Sequence, residues 1–311
     1  MELPPKVWFK IERLRAWWRS SFGASNHSYD TSHRMCPECR ALIARGTKVC
    51  PHCGASIGPQ RARGSTGTPG RIMGVIPAPT SATSILAAAI VLMFVAEWFL
   101  TQRAGGAGQS MGLFGGIRGS VMLRLGGLFG PFVYAGQWWR LVTAIFLHAG
   151  LLHIGLNLWV LFDVAPEVEG LFGVSKYVVL FLVTGVCGYI ASLWWSPMAL
   201  AIGASGAIMG LIGILIGATF HHGQLGKAYR SMLWRWVIYI FIFGLFFNVD
   251  NAAHMGGLVS GLIFGYFIPE GVPETRSGEN LWNALAVVAV IIIAGSFALM
   301  ALQINNPVFY H

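Results

Sequence analysis

The chain is organised around residues 202–210, Ile202-Gly203-Ala204-Ser205-Gly206-Ala207-Ile208-Met209-Gly210, a small-residue run that opens a long apolar segment. Its single hydroxyl belongs to Ser205. A serine in an apolar helix usually bonds a carbonyl one turn back or joins two helices. Here, however, His254 begins a second apolar segment, and His153 and Asn157 stand in a third. Because polar and ionisable groups are expensive inside a membrane, these three places together indicate a functional site.

The composition is that of a membrane protein. Of the 311 residues, 55% are hydrophobic and only 11% are charged, whereas soluble domains contain fewer apolar residues. A membrane core of about 30 Å needs roughly 20 apolar residues per helix. Seven segments approach this length, near residues 84–100, 148–165, 177–195, 203–221, 233–248, 251–269 and 281–303. We therefore predict an all-α polytopic membrane protein.

The distribution of basic residues predicts the orientation of these helices. Twelve of the 21 Lys and Arg residues precede the first apolar segment, and flanks rich in Lys and Arg stay in the cytoplasm. Following the seven segments in and out leaves four basic residues on the outer side, namely Arg103, Arg118, Arg124 and Arg140. The formal charge of +9 thus reflects membrane topology, and no nucleic-acid partner is expected.

A candidate metal site precedes the first helix. The motifs C-P-E-C at residues 36–39 and C-P-H-C at residues 50–53 have the spacing of a tetrahedral thiolate site for Zn²⁺. Disulfides or a redox pair are the alternatives, which the reducing cytosol disfavours. The expected ligands are Cys36, Cys39, Cys50 and Cys53. The metal would be structural and would fold a small zinc ribbon, and no cofactor is expected for catalysis.

Five parts follow along the chain. Residues 1–35 are basic and aromatic, and form either an amphipathic helix on an anionic leaflet or a solvated tail. Residues 36–54 are the ribbon, and residues 55–83 are a flexible linker rich in Gly, Pro, Ser and Thr. Residues 84–270 contain six apolar helices, and residues 271–311 contain a linker and the seventh.

The polar residues of the helices predict one shared site. His153 and Asn157 lie one turn apart on one helix face, where they could stabilise an oxyanion or merely bridge helices. Glycines recur every three or four residues after both Ser205 and His254, so two bare helix faces can pack closely. Such packing would bring His254 to Ser205, and histidine is the usual base for a serine nucleophile. Glu97, in the first helix, is expected to bond a neighbouring loop rather than to act in catalysis.

These residues resemble the rhomboid family of intramembrane serine proteases over residues 84–270. The resemblance implies a rhomboid-like six-helix bundle, here with a seventh C-terminal transmembrane helix and a small N-terminal zinc ribbon. The motifs that carry it are Trp139-Arg140, His148, His153-x-x-x-Asn157, Gly203-Ala204-Ser205-Gly206, and Ala253-His254-Met255-Gly256-Gly257 continuing to Gly261.

The resemblance also implies roles for the matching residues. Ser205 would be the nucleophile and His254 the general base, with no acidic third member. His153, Asn157 and the backbone N–H of Ser205 would form the oxyanion hole. The chain departs from some family members at Met209, where they carry an aromatic residue that stacks on the histidine. A thioether can also pack against an imidazole ring.

Further matching residues are expected to be structural supports, namely Trp139, Arg140, His148 and Glu169. The implied activity is hydrolysis of a peptide bond in or near a transmembrane helix of a membrane-protein substrate, through an acyl-enzyme. One alternative is a non-proteolytic rhomboid-like factor that binds membrane proteins, although such relatives typically lack the serine or the histidine. A proton-relay transporter is a third reading, but it would place its polar residues near the midplane.

The expected surroundings follow from this reading. The partners would be the lipid bilayer, single-span or other membrane-protein substrates and, for the ribbon, a cytosolic protein. The chain would be a multi-pass protein of the cell (inner) membrane. Its N-terminus and ribbon would be cytoplasmic, and its active site would lie near the extracytoplasmic face.

Overall fold

The structure is a computed structural model. It describes residues 33–35, 42–44, 47, 49–54, 71–72, 76–77, 81–105, 116–246, 249–271, 273 and 275–304. The chain divides into two compact units, Met1–Pro77 and Ala78–His311.

The described part of the first unit consists of two short antiparallel hairpins and one tight turn. Strand β1 (His33–Met35) pairs with β2 (Leu42–Ala44), and β3 (Arg71–Ile72) pairs with β4 (Ile76–Pro77). The second hairpin lies in the range predicted as linker. Residues 1–32, which include most of the basic aromatic segment, lie outside the described residues.

The second unit is helical. Its helices are α1 (Ser81–Arg103), α2 (Gly119–Arg124), α3 (Gly130–Tyr134), α4 (Arg140–Thr143), α5 (Leu151–Phe172), α6 (Val174–Trp195), α7 (Ser205–Ala218), α8 (Gly223–Phe246), α9 (Asn251–Phe267) and α10 (Arg276–Gln303). Short 3-10 turns, Ala144–Phe146 and Thr219–His221, follow α4 and α7. Each of the seven predicted apolar segments coincides with one of the helices α1 and α5 to α10. Among the described residues, α1, α5, α6 and α10 are long and apolar enough to cross a membrane, which confirms the prediction of an all-α membrane protein.

Helix α7 is the centre of this unit. Its residues from Gly206 to Ala218 are all buried, so the helix is surrounded by protein. Helices α6 and α9 pack against it. By contrast, only Ala289, Ser296 and Met300 are buried in α10, whose remaining surface has the apolar composition that suits lipid.

The contact between α7 and α9 is a packing of bare backbone. A Cβ atom added at Gly257 would lie 1.9 Å from the carbonyl oxygen of Gly206, and one added at Gly261 would lie 2.0 Å from that of Gly210. The predicted packing of the two glycine faces is therefore present. Since real Cβ atoms do not approach this closely, larger residues would push the helices apart.

The seventh helix is held by polar contacts at the start of α6. Lys176 donates from Nζ to the carbonyl oxygens of Pro269 (2.6 Å) and Gly271 (2.9 Å), and its ammonium lies 5.7 Å from the ring centre of Trp282 on α10. These contacts fix the connection between α9 and α10 and join α10 to α6.

Candidate active site

Ser205 is the first residue of α7, at a sharply turned segment. The first N–H groups of a helix have no acceptor within it, so the Ser205 N–H is available to a ligand. Two residues earlier, Gly203 has φ +119°, a left-handed conformation that favours glycine, and its N–H donates to the carbonyl of Ala144 (2.9 Å). The sequence Gly203-Ala204-Ser205 is thus the turn that exposes the serine at a helix start.

A tyrosine that the sequence did not single out holds this turn. The hydroxyl of Tyr189 on α6 lies 3.0 Å from the carbonyl oxygen of Ala144 and 2.8 Å from that of Gly203. Its side chain is 3% exposed, and its single O–H can donate to either carbonyl, while the Ala144 carbonyl also accepts from the N–H of Gly203. The sequence gives no local signal for this role beyond a tyrosine in a mostly apolar helix, because its partners lie 14 and 45 residues away.

His153 faces the same space as Ser205. The N–H of Ala149 donates to Nδ1 of His153 (3.3 Å), so the neutral ring carries its proton on Nε2. A Cβ atom added at Gly203 would lie 2.9 Å from this Nε2 and 3.8 Å from the Ser205 Oγ. The His153 Nε2 and the Ser205 Oγ thus both lie beside the bare Cα of Gly203. A side chain at residue 203 would meet the His153 ring, so glycine allows the ring to approach this turn.

Asn157 stands one turn further along the same face of α5. It is 7% exposed, and its Nδ2 donates to the carbonyl oxygen of His153 (2.9 Å). An amide nitrogen has two hydrogens, so the second remains available as a donor. The structure thus brings Asn157, His153 and the N-terminus of α7 to one end of the bundle.

His254 is brought to the same end by the α7–α9 contact. It is 2% exposed, and its neighbour Ala253 packs against Gly206, where an added Cβ would lie 3.4 Å from the Ala253 carbonyl oxygen. Neither ring nitrogen of His254 has a hydrogen-bond partner among the described residues. Ser205 and His254 are therefore placed on facing helices, and no hydrogen bond joins their side chains in the structure.

The start of α9 is fixed by Asp250, a second residue that sequence reasoning missed. Its Oδ1 accepts from the N–H of Ala253 (2.9 Å), which caps the helix, and its Oδ2 accepts from the hydroxyl of Ser192 on α6. The carboxylate bonds neither ring nitrogen of His254. Asp250 therefore fixes the backbone that carries the histidine.

An aromatic ring from α8 contacts the histidine. The rings of Phe241 and His254 are 6.0 Å apart between centroids and cross at 88°. Met209, the departure from the family pattern, is 1% exposed in the core of α7. The aromatic contact of His254 thus comes from another helix than the one that the family pattern suggests.

The loop before α5 is held by Glu97. Its carboxylate oxygens accept from the backbone N–H of His148 at 3.2 and 3.1 Å, which confirms the predicted bond to a neighbouring loop. The buried His148 ring lies 5.0 Å from the His153 ring. His148 therefore supports the ring that faces Gly203.

Arg140 is the first residue of α4, and its side chain is buried within the segment that contains α2 to α4. Its guanidinium donates to the carbonyl oxygens of Leu123 (2.7 Å) and Gly127 (2.8 Å) and lies over the rings of Phe132 and Trp139. Burial lowers the pKa of Arg140 to about 10, so it remains charged near neutral pH. Such contacts are those of a structural support.

Glu169, near the C-terminal end of α5, bonds Thr83, near the N-terminal end of α1. Its Oε2 accepts from the N–H (3.2 Å) and the hydroxyl (3.0 Å) of Thr83, and the hydroxyl of Tyr177 lies 3.4 Å from the Thr83 Oγ1. All three side chains are buried. Glu169 is thus far along α5 from His153, at the other end of the bundle.

The cysteine motifs are described in part. The N–H of Gly54 donates to the carbonyl of Cys50 (2.9 Å), and Gly54 has φ +72°, so residues 50–54 form a tight turn. The Cys50 side chain is 2% exposed. Cys36 and Cys39 lie outside the described residues, and among the described residues no three His, Cys, Asp or Glu side chains converge. The described turn fits the second half of a four-thiolate site.

Comparison with known proteins gives one family. Residues 135–270 match the Rhomboid domain. The rhomboid protease GluP of Bacillus subtilis is 30% identical over 216 residues, which are 68% of this chain and 39% of GluP. YdcA of the same bacterium, also named for this family, is 31% identical over 134 residues, 42% of this chain and 67% of YdcA.

The similarity extends to relatives named as inactive. Inactive rhomboid protein 2 of Homo sapiens is 29% identical over 184 residues, 56% of this chain and 21% of that protein. The matched part of this chain thus spans well under half of both GluP and the human protein. Similarity alone therefore does not separate proteases from relatives without activity.

Proposed function

Because the chain belongs to the rhomboid family, we propose that it is an intramembrane serine protease that cuts its substrates in or near a transmembrane helix. The observation that carries this proposal is the convergence at Gly203. There the Ser205 Oγ and the Nε2–H of His153 lie beside the same glycine, at the start of α7. A nucleophile beside two kinds of donor is the arrangement that acyl transfer requires.

The proposed reaction uses Ser205 and His254. The Ser205 Oγ attacks the substrate carbonyl carbon while its proton passes to His254, and the carbonyl oxygen becomes an oxyanion. Nε2–H of His153, the Asn157 amide and the Ser205 N–H stabilise that charge. When the tetrahedral intermediate collapses, the C–N bond breaks, the amine takes the proton from His254, and an ester to Ser205 remains. Water, deprotonated by His254, then hydrolyses the ester.

The substrate must lose helical structure at the cut. A carbonyl within a helix is shielded and already accepts a hydrogen bond, so it cannot reach Ser205 and the donors beside it. Substrates with helix-breaking residues near the cut should therefore be favoured. We propose that α8, whose outward residues are bulky and exposed, is the side past which substrates enter.

The proposed location follows from the charge distribution. The chain would span the cell membrane with its N-terminus in the cytoplasm, since most of its Lys and Arg residues flank that side. Ser205 and His254 would then lie near the extracytoplasmic face. Labelling of single cysteines introduced at residues 101–103, the end of α1, and at residues 221–227, around the start of α8, with a reagent that does not cross membranes, tests this orientation.

The test of activity is cleavage by the full chain in liposomes. A single-span substrate is incubated with the wild type, Ser205→Ala and His254→Ala, and products are identified by mass spectrometry. Cleavage by the wild type alone is expected. Activity that persists in Ser205→Ala would refute the serine mechanism. If no variant cleaves but all bind membrane proteins equally, the function is that of the relatives named as inactive.

For the N-terminal motifs we propose a structural Zn²⁺ site of four thiolates. The tight turn at residues 50–54 and the buried Cys50 support it. Metal analysis of the purified chain should find one zinc per chain, lost in Cys36→Ser and in Cys50→Ser. Protease assays on both variants would show whether the ribbon affects the enzyme. An unchanged zinc content would refute the site.

A further inference from the structure

The imidazole of His254 needs a support that hydrogen bonds do not provide. The side chain is 2% exposed, and neither ring nitrogen has a hydrogen-bond partner among the described residues. Asp250 caps the helix and fixes the backbone, but a histidine ring still turns about two side-chain bonds. A general base must nevertheless hold one orientation to take a proton from Ser205.

The ring that contacts this imidazole is Phe241. A centroid separation of 6.0 Å and an angle of 88° define an edge-to-face contact, in which rings attract through their quadrupoles. The helix of the serine offers no such ring, since Met209, one turn after Ser205, is aliphatic. The aromatic support therefore comes from α8.

Phe241 differs from its neighbours on α8. Tyr239 is 62% exposed and Ile242 is 48% exposed, whereas Phe241 is half-buried against His254. The polar ties of α8 to other helices lie near its other end, where Tyr229 donates to Glu167 (2.5 Å). The inward ring of Phe241 is thus a contact between α8 and the base, remote from the ties that anchor the helix.

We propose that Phe241 is a positioning residue for His254, so that the base is aligned only while α8 is seated against the bundle. This inference rests on the proposed protease function. Phe241 would touch neither substrate nor nucleophile, and it would act through the orientation of the imidazole. Loss of the ring should slow acylation of Ser205 whatever the size of the reagent.

The experiment compares a small reagent with a membrane substrate. In detergent micelles, the full chain reacts with a soluble fluorophosphonate, which acylates an activated serine and needs no helix displacement. In liposomes, kcat and KM are measured on a single-span substrate. The variants are Phe241→Leu and Phe241→Met, which remove the ring but retain bulk, and Phe241→Tyr, which keeps it. Tyr239→Leu is the matched control, because that ring faces away from the bundle.

We expect Phe241→Leu and Phe241→Met to lower both the fluorophosphonate rate and kcat by about 10-fold, with KM unchanged. Phe241→Tyr and Tyr239→Leu should stay within about 2-fold of the wild type. Labelling of the Leu and Met variants at the wild-type rate would overturn the proposal, even if KM changed, because Phe241 would then affect only substrate access. Failure of the wild type to react at Ser205 would instead refute the protease function itself.

Discussion

The glycine contact between α7 and α9 makes Gly257→Ala a demanding test of the site. The new Cβ would lie 1.9 Å from the carbonyl oxygen of Gly206, and ordinary contact begins at 3.4 Å. Because the obstacle is backbone, no change of rotamer relieves it, and the helices must separate by about 1.5 Å. Overpacking of this kind costs about 1–3 kcal/mol in the free energy of unfolding.

The same movement should affect catalysis more than stability. Gly206 follows Ser205, and Gly257 lies one turn after His254, so separation at this point moves the nucleophile from the base. A misplacement of about 1 Å can slow an enzyme roughly 100-fold. We expect Gly257→Ala to lower kcat on a single-span substrate by about 100-fold. Reversible unfolding in mixed micelles measures the change in stability.

Two control variants distinguish movement of Ser205 from His254 from a general loss of stability. Gly295→Ala on α10 adds a Cβ with nothing within 4 Å, so stability and kcat should be retained. Gly265→Ala meets the Ile214 carbonyl oxygen at 2.1 Å but lies two turns farther from His254. It should reduce stability as much as Gly257→Ala and lower kcat less. Wild-type activity in Gly257→Ala would refute the reasoning.

Further predictions concern the supports of the site. Tyr189→Phe removes the hydroxyl beside the buried carbonyls of Ala144 and Gly203. The free energy of unfolding should therefore fall by about 1–3 kcal/mol, and kcat should fall with it. A variant as stable as the wild type would contradict this role. Glu97→Ala should destabilise the loop before α5 and lower the melting temperature, whereas Glu97→Gln keeps an acceptor and should be milder; equal effects would show that charge, not the hydrogen bond, matters. Arg140→Lys keeps the charge but loses the planar guanidinium, in which Nη1 donates to two backbone carbonyls while Nε donates to Oε1 of Gln137. Limited proteolysis should therefore cut the segment of α2 to α4 faster, and an unchanged rate would rule out this support.

The helices and the α7–α9 contact were predictable because their signals are local and periodic. Apolar length marks a membrane helix, and glycine spacing marks the face where another helix can approach. Helix bounds were less accurate where polar residues continue a helix. The helix over segment 233–248 begins at Gly223, and the helix over segment 148–165 ends at Phe172. Hydropathy does not extend these segments across the polar and charged residues at the start of α8 and the end of α5.

The residues that hold the site were harder to predict. Tyr189, Asp250 and Phe241 act on residues of other helices or of the adjoining loops, so their partners depend on how the helices pack. In the sequence each is an ordinary residue of an apolar segment or a turn. For Glu97 the sequence predicted a hydrogen bond to a neighbouring loop, since a buried carboxylate must find a donor, but it did not identify that donor.

The position of Ser205 follows from what a helix can offer to a reaction. Within a membrane, every backbone N–H beyond the first turn of a helix is bonded within that helix, so a backbone donor for an oxyanion exists only where a helix begins. The proposed nucleophile therefore stands at a helix start, and the glycine turn at Gly203 both precedes that start and lets the His153 ring approach it. A helix start lies near one end of the bundle, where water for hydrolysis of the acyl-enzyme is also within reach. The same constraint places His254 in the first turn of α9, because a base deeper in that helix could not meet the serine.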